Sequence, residues 1–303
     1  PQAARMDAHS LAETGVTRLC YAGSTLQSSP QSAISGRAPI QLGAELFGSD
    51  TVEADGEIIT LMLSLFKICE VTRELTLDIG HIGIYDALFS DAGLDPDLEA
   101  EIFDALQRKS MPDIDRLAAS LPPEVATKLL ALAELHGSVG VVAEAKGIFA
   151  NEPVVLEALG ELESTLALVQ SEFPDVGVYV DLTELRGFRY HTGLVFAVYL
   201  EGRGSAVAKG GRYDNIGAVF GRDRPATGFA IDLKALIDDA APIEPALPPV
   251  IAPVSDDPLL RGAVAALRAS GRTVMVDLES GATALDGQRL VLKDGEWVIE
   301  MGS

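Results

Sequence analysis

Residues 39–48 (PIQLGAELFG) alternate: Ile40, Leu42, Ala44 and Leu46 fall on one face of an extended chain, and Gln41, Gly43 and Glu45 on the other. Before them, residues 16–26 (VTRLCYAGSTL) crowd apolar and β-branched side chains into a second strand-like run. The small polar stretch between the two, 27–37, predicts a flexible loop. The period then changes. Ile58, Leu61, Leu65 and Ile68 recur at three- and four-residue spacing, so residues 53–70 predict an amphipathic helix. A strand at 75–80 (LTLDIG) and a short helix at 83–93 closed by Gly93 follow.

Residues 95–172 read as consecutive helices broken at Pro112, Pro122, Pro123 and Pro153, with no strand among them. Strands resume at 176–182, 194–202 and 205–211. The short turn between the last two predicts an antiparallel pair. TGFAIDL (227–233) is a strand leading into a helix, and APIEPALPP (241–249) is a Pro-rich linker. Beyond it the pattern predicts a strand at 250–254, a helix at 257–270, a strand at 273–278 and a hairpin at 288–300 turning at Asp294-Gly295.

Composition narrows the function classes. With 303 residues, 48% hydrophobic and 22% charged, the chain is globular and holds two or three domains. No apolar run reaches the roughly 18–20 residues of a membrane span. The net charge of −22 and the scatter of the 23 basic residues argue against a broad nucleic-acid surface. Cys20 and Cys69 match no metal or redox spacing and read as buried thiols of a cytoplasmic protein. No His/Asp/Glu group has metal-ligand spacing, so no metal and no cofactor is expected. Of the histidines, His81 falls in a strand-to-helix turn, His136 on a helix of the 95–172 run, and His9 on the first helix. The chain opens at Pro1 within what reads as a helix, so we expect sequence upstream of it.

From Arg186 to Leu233 an Arg-Gly opening, a Tyr-His-Thr-Gly turn, an apolar strand, a Gly-Gly-Arg-Tyr-Asp turn and a Gly-Phe-Ala-Ile strand occur in one order. With RLCYAG, APIQLGAELFG and LDIGHIGIYDAL ahead of them, they resemble the histidyl-tRNA synthetase family. The resemblance is closer to its catalytically silent branch, the regulatory subunits of ATP phosphoribosyltransferase. It reaches to about residue 240. It implies an α+β, class II aminoacyl-tRNA synthetase-like fold: a mostly antiparallel sheet flanked by helices, with a helical insertion and a small C-terminal α/β domain. On that reading residues 1–94 and 173–240 form the synthetase-like domain, 95–172 the insertion and 249–303 the C-terminal domain. The resemblance also implies a regulatory role in histidine biosynthesis. The partner would be a short-form catalytic subunit that makes phosphoribosyl-ATP, L-histidine would be the effector, and a homodimer would sit inside a hetero-oligomer.

Two departures from the synthetase pattern bear on catalysis. The two arginines that grip phosphate in such enzymes match positions near Leu26 and at Ala235 in this chain. Removing one preorganised group that stabilises developing charge costs on the order of 10²–10³ in rate, so no catalytic residue is expected. The amino-acid pocket of the family is better kept. Gln41, Glu45 and Arg186 match its polar groups, and Tyr190 and His191 stand where the synthetase has a Tyr-Tyr pair. A carboxylate suits an α-ammonium or an imidazole N–H, and a guanidinium fork suits a carboxylate. The turn at Gly210–Asp214 lacks the Lys-Ser/Thr ending of a phosphate loop, and reads equally as a turn braced by Arg212 and Asp214 or as one facing a ligand. The short, acidic C-terminal region is a poor tRNA reader. A divergent histidyl-tRNA synthetase and a stand-alone histidine-binding adaptor are the alternatives.

Overall fold

The structure is a computed structural model describing residues 2–11, 14–26, 37–185, 187, 190–240, 247–278 and 288–301. The expected 27–37 loop and the 241–249 linker therefore lie mostly, and Arg186 wholly, outside the described residues. The chain divides into two compact units, residues 1–241 and 242–303.

The first unit is built on an eight-stranded sheet. In chain order its elements are α1 (Gln2–Met6), β1 (Thr17–Ser24), β2 (Ile40–Phe47), α2 (Val52–Ile68), β3 (Leu75–His81) and α3 (Ile82–Phe89). Then come α4 (Pro96–Gln107), α5 (Met111–Ala118), α6 (Pro123–Glu134), β4 (His136–Gly137), α7 (Gly140–Ile148) and α8 (Pro153–Glu172). The unit closes with β5 (Gly177–Asp181), β6 (Leu194–Leu200), β7 (Ala208–Arg212), β8 (Ala226–Asp232) and α9 (Leu233–Asp239). The sheet order is β1-β2-β8-β7-β6-β3-β5-β4. Every neighbouring pair is antiparallel except β3 with β5.

Register assigns the two faces. Leu42 and Ala44 lie opposite Ile231 and Phe229, and these continue through Ala208 and Gly210 to Val198 and Phe196, then Leu77 and Ile79. This face is the core side, where Ile59, Met62 and Phe66 of α2 and Leu162 and Val169 of α8 are fully buried. The opposite face carries Gln41, Gly43 and Glu45 of β2, with Gly228 and Ala230 of β8 beside them. The period-two alternation in β2 thus sorts core from site.

Four helices of the 96–172 run start with proline in their first two positions: Pro96, Pro112, Pro123 and Pro153. A helix tolerates proline there because that N–H has no partner within the helix. The prolines read as breaks are therefore also starts. Two expectations need correction. β4 interrupts the helices, pairing His136 with Asp181 and Gly137 with Val180, and His136 accordingly sits on this strand and not on a helix. Its Nδ1 lies 2.8 Å from the Tyr179 hydroxyl. His81 caps α3, its Nδ1 accepting from the Gly83 amide at 3.1 Å, which leaves Nε2–H to donate to Glu161 at 3.0 Å. Cys20 is also corrected: it is exposed on β1, the outer strand of the sheet, and Cys69 is half-buried.

The end of α9 is pinned to the sheet. Asp239 is buried and its two oxygens meet Arg73 at 2.7 Å and Arg203 at 2.5 Å. Asp239→Ala leaves both arginines free to rehydrate, so the expected cost is moderate, about 1–3 kcal/mol, read as a lowered melting temperature by calorimetry.

Among its described residues the second unit pairs a four-stranded sheet, β10-β9-β11-β12, with one helix. The strands are β9 (Val250–Pro253), β10 (Val274–Asp277), β11 (Gln288–Lys293) and β12 (Glu296–Met301), and the helix is α10 (Pro258–Ala269). Asp257 caps α10 through the Leu259 amide at 2.9 Å and also accepts from the Trp297 indole at 2.7 Å, so one carboxylate ties helix to hairpin. Val250, Ala252, Leu260, Val274 and Leu290 form its small core. No helix among the described residues is long and apolar enough to cross a membrane.

Candidate functional site

Glu45 is the centre of the site. It stands on β2 above Gly228 of β8, where a Cβ would lie 1.8 Å from its Oε2. Two residues back along β2, Gly43 leaves room for the ring of Tyr21 from β1. The Tyr21 hydroxyl lies 3.4 Å from Glu45 Oε1, and the Tyr213 hydroxyl donates to Oε2. Glycine on this face thus allows a large acid and a large ring to lie flat on the sheet. Burial pushes the Glu45 carboxyl up to about 7, against the opposing pull of the two hydroxyls. Burial, with the Glu45 charge behind it, also holds the hydroxyls of Tyr21, Tyr190 and Tyr213 above the usual phenol range.

The turn before β6 supplies the second wall. Gly187, at φ +70°, accepts from the amides of Tyr190 at 2.6 Å and His191 at 2.9 Å. Tyr190 stacks on Tyr213 with 5.1 Å between centroids, and His191 meets Tyr190 edge-on at 5.1 Å. The His191 ring lies against Gly187 and Gly211, where added Cβ atoms would come within 2.8 and 2.7 Å of it. Its Nδ1 is 3.2 Å from the Arg212 carbonyl. A carbonyl only accepts, so Nδ1 carries the proton and Nε2 presents a lone pair. Burial lowers the His191 pKa, which favours this neutral form.

Of the residues expected to meet at the site, Glu45, Tyr190 and His191 are joined through these contacts, and Gln41 shares their sheet face on β2. Arg186 lies outside the described residues. Sequence reasoning passed over Tyr21 and weighed Tyr213 only as part of a turn. The signal for Tyr21 was its pairing with Gly43, which depends on strand register.

Arg212 is structural. Its guanidinium donates to Asp55 at 3.0 Å, to the Ser49 carbonyl at 3.0 Å and to Asp214 at 3.1 Å, and is buried. Asp214 in turn accepts from Thr192 and from the Ala226 amide. Of the two readings of the Gly210–Asp214 turn, the braced one describes Arg212 and Asp214, while Tyr213 faces Glu45. The arginine-free positions are also placed. Leu26 is exposed beyond β1, whereas Ala235 packs against the core on α9, whose N-terminus is capped by Asp232. A separate group, Asp78, Asp181 and Glu184, brings carboxylate oxygens within 4.8 Å of one another. Lys109 supplies positive charge there, its Nζ 2.6 Å from Asp181.

The sheet, its helical cover and the Glu45 cluster on the face away from the core define a class II, histidyl-tRNA synthetase-like protein. Residues 1–236 match the histidyl-tRNA synthetase family, and residues 248–300 match the ATP phosphoribosyltransferase subunit HisZ C-terminal domain. The ATP phosphoribosyltransferase regulatory subunit of Thioalkalivibrio sulfidiphilus is 46% identical over 99% of this chain and 78% of its own length. The chain belongs to the ATP phosphoribosyltransferase regulatory subunit family. Among solved structures, an ATP phosphoribosyltransferase regulatory subunit/histidyl-tRNA synthetase from Bacillus halodurans superposes with a TM-score of 0.79 at 27% identity, over 94% of this chain and 74% of the other. The ATP phosphoribosyl transferase (HisG:HisZ) complex from Thermotoga maritima gives 0.60 at 20% identity, over 76% and 79%, a likeness of fold.

Proposed function

We propose that this chain is a non-catalytic regulatory subunit of ATP phosphoribosyltransferase in the cytoplasm. It would activate a short catalytic subunit and carry the histidine feedback signal. Its effector site holds L-histidine through Gln41, Glu45, Tyr190, His191 and Arg186, with Tyr21 and Tyr213 positioning Glu45. The observation that carries this reading is the Glu45 carboxylate held between two tyrosine hydroxyls, in a chain with no arginine near Leu26 or at Ala235, where the resemblance to the synthetase puts the phosphate-gripping pair. The His191 lone pair and the Glu45 carboxylate are both acceptors, which suits the N–H groups of an ammonium and an imidazole.

Feedback requires histidine to bind one state of the complex more tightly than the other. A coupling of about 1–3 kcal/mol is typical. The protein acts as a homodimer inside a hetero-oligomer, and aminoacylation is absent. Mixing the chain with a short-form catalytic subunit is expected to raise the rate of phosphoribosyl-ATP formation, and histidine to lower it again. An unchanged rate on mixing sinks the regulatory reading. Histidine-dependent ATP–pyrophosphate exchange by the purified full-length protein would instead favour a divergent synthetase.

A further inference from the structure

Helix α1 packs on the face of the sheet that carries Glu45. Phe47 follows Glu45 by two residues on β2 and so shares that face, and Ala226 of β8 lies opposite Phe47. Ala4 of α1 is buried with Phe47, Tyr213 and Ala226 in an apolar layer separate from the main core. Phe47 meets the Tyr213 ring edge-on at 6.3 Å, while Tyr190 stacks on the same ring. The ring whose hydroxyl donates to Glu45 is therefore held in part by α1.

What fixes α1 there is ionic. The helix has five residues, too few to keep its form without outside contacts. It runs on into a π-helical turn, Asp7–Leu11, whose first residue is 2% exposed. Arg224 Nη1 donates to the two Asp7 oxygens at 2.8 and 3.2 Å, and its Nη2 donates to the carbonyls of Gly15 and Phe47. Arg222 Nη1 donates to the Asp7 carbonyl at 2.9 Å and lies 3.7 Å from its carboxylate. Both arginines belong to the 213–226 segment, which is closed on itself by the Tyr213 amide donating to the Ala226 carbonyl at 2.7 Å. One buried carboxylate thus ties α1 to the segment that presents Tyr213, and charge-assisted bonds of this kind are the strong ones.

We infer that α1 and the Asp7 ion pairs form a strap that positions the Tyr213 hydroxyl against Glu45, so that effector affinity and the docking of α1 rise and fall together. Asp7 is a positioning residue: it acts on the effector through Tyr213. Because the layer under α1 is separate from the main core, the strap can loosen while the sheet and its helices stay folded. The coupling to the ligand, though not the strap itself, rests on the histidine reading above.

The test combines hydrogen exchange with calorimetric titration of histidine, on the full chain and on two variants. Asp7→Asn removes the charge that meets Arg222 and Arg224, and Ala4→Leu overfills the apolar layer without touching an ion pair. Without ligand, each variant is expected to speed exchange of the 7–11 amides and of the Tyr213 amide about tenfold, with the amides of β3 and β6 unchanged. Each is expected to weaken histidine about five- to tenfold. Saturating histidine is expected to slow the wild-type 7–11 amides by the same factor, since coupling is reciprocal. In a Tyr213→Phe background Asp7→Asn is expected to cost less than about twofold, because the hydroxyl it acts through is gone. The full loss in that background would make Asp7 merely structural and overturn the positioning role. Wild-type histidine affinity in both variants, or unchanged Tyr213 exchange, overturns the strap. Faster exchange spreading to β3 and β6 in both variants would make α1 part of the core fold and overturn it too. Absence of histidine binding by the wild type, with the exchange effect at Tyr213 intact, overturns the effector reading and supports the strap.

Discussion

Arg212→Met is expected to cost about 3–5 kcal/mol, because it leaves the buried Asp55 carboxylate without its cation. In a unit of this size that lowers the melting temperature by about 6–20 °C. Arg212 also donates to the Ser49 carbonyl just ahead of α2, so its loss unties β7 from the start of the main core helix. The pH dependence gives a second reading. Burial already raises the Asp55 pKa and Arg212 opposes this. Without Arg212 the folded-state pKa rises further, so stability falls as pH rises through that raised value, and the deficit is larger at pH 8 than at pH 5. Adding Asp55→Asn to Arg212→Met removes the buried charge and should recover part of the loss. A melting temperature unmoved by Arg212→Met would show that the pair does not hold the unit together.

The second large effect is on binding. Glu45→Gln is expected to weaken histidine by roughly 10- to 150-fold, the equivalent of one charge-assisted hydrogen bond of about 1.5–3 kcal/mol. The amide keeps an acceptor for the Tyr213 hydroxyl, so the fold should survive. A carboxylate with a pKa of about 7 is mostly protonated at pH 6 and mostly ionised at pH 8. Affinity for a ligand that needs the ionised form therefore rises about tenfold across that interval, and the rise should vanish in Glu45→Gln. Stability moves the other way. The folded-state pKa lies above the ordinary glutamate value of 4.5, so the folded state keeps the proton longer than the unfolded chain does. Stability is lost as pH rises from about 4.5 through 7, by an order of about 3 kcal/mol at most. Glu45→Gln should therefore raise the melting temperature at pH 8 and leave it little changed near pH 4.5. A variant that lost stability at pH 8 would show that Glu45 is a structural acid. One that bound histidine as tightly as the wild type would remove Glu45 from the site.

Strands and helices with a full period were legible in the chain. β2 announced its two faces, because eight residues give four repeats of a period of two. β4 has two residues and therefore no period, and only its pairing with β5 makes it a strand. The exposure of Cys20 was illegible for a different reason. Its local pattern is apolar, and what exposes it is the place of β1 at the sheet edge, a property of topology. The site divides similarly. Glu45, Tyr190 and His191 could be named from the order of motifs. The hydroxyls that hold Glu45 come from β1 and from the end of β7, and a carboxylate's partners across a sheet depend on register. Arg212 and Asp214 read as a brace from their own turn, but Asp55 lies 157 positions from Arg212 in sequence and carried no sign of that partnership.

The ionic anchor at Asp239 falls three residues after the match to the synthetase family ends at residue 236, and before the match to the subunit-specific domain begins at residue 248. The first unit thus completes its own last helix and secures it with its own arginines before the seam. A sheet finished in this way does not rely on what is attached downstream for the ends of its strands. That makes the seam a natural place for one downstream domain to stand in for another while the sheet upstream stays unchanged.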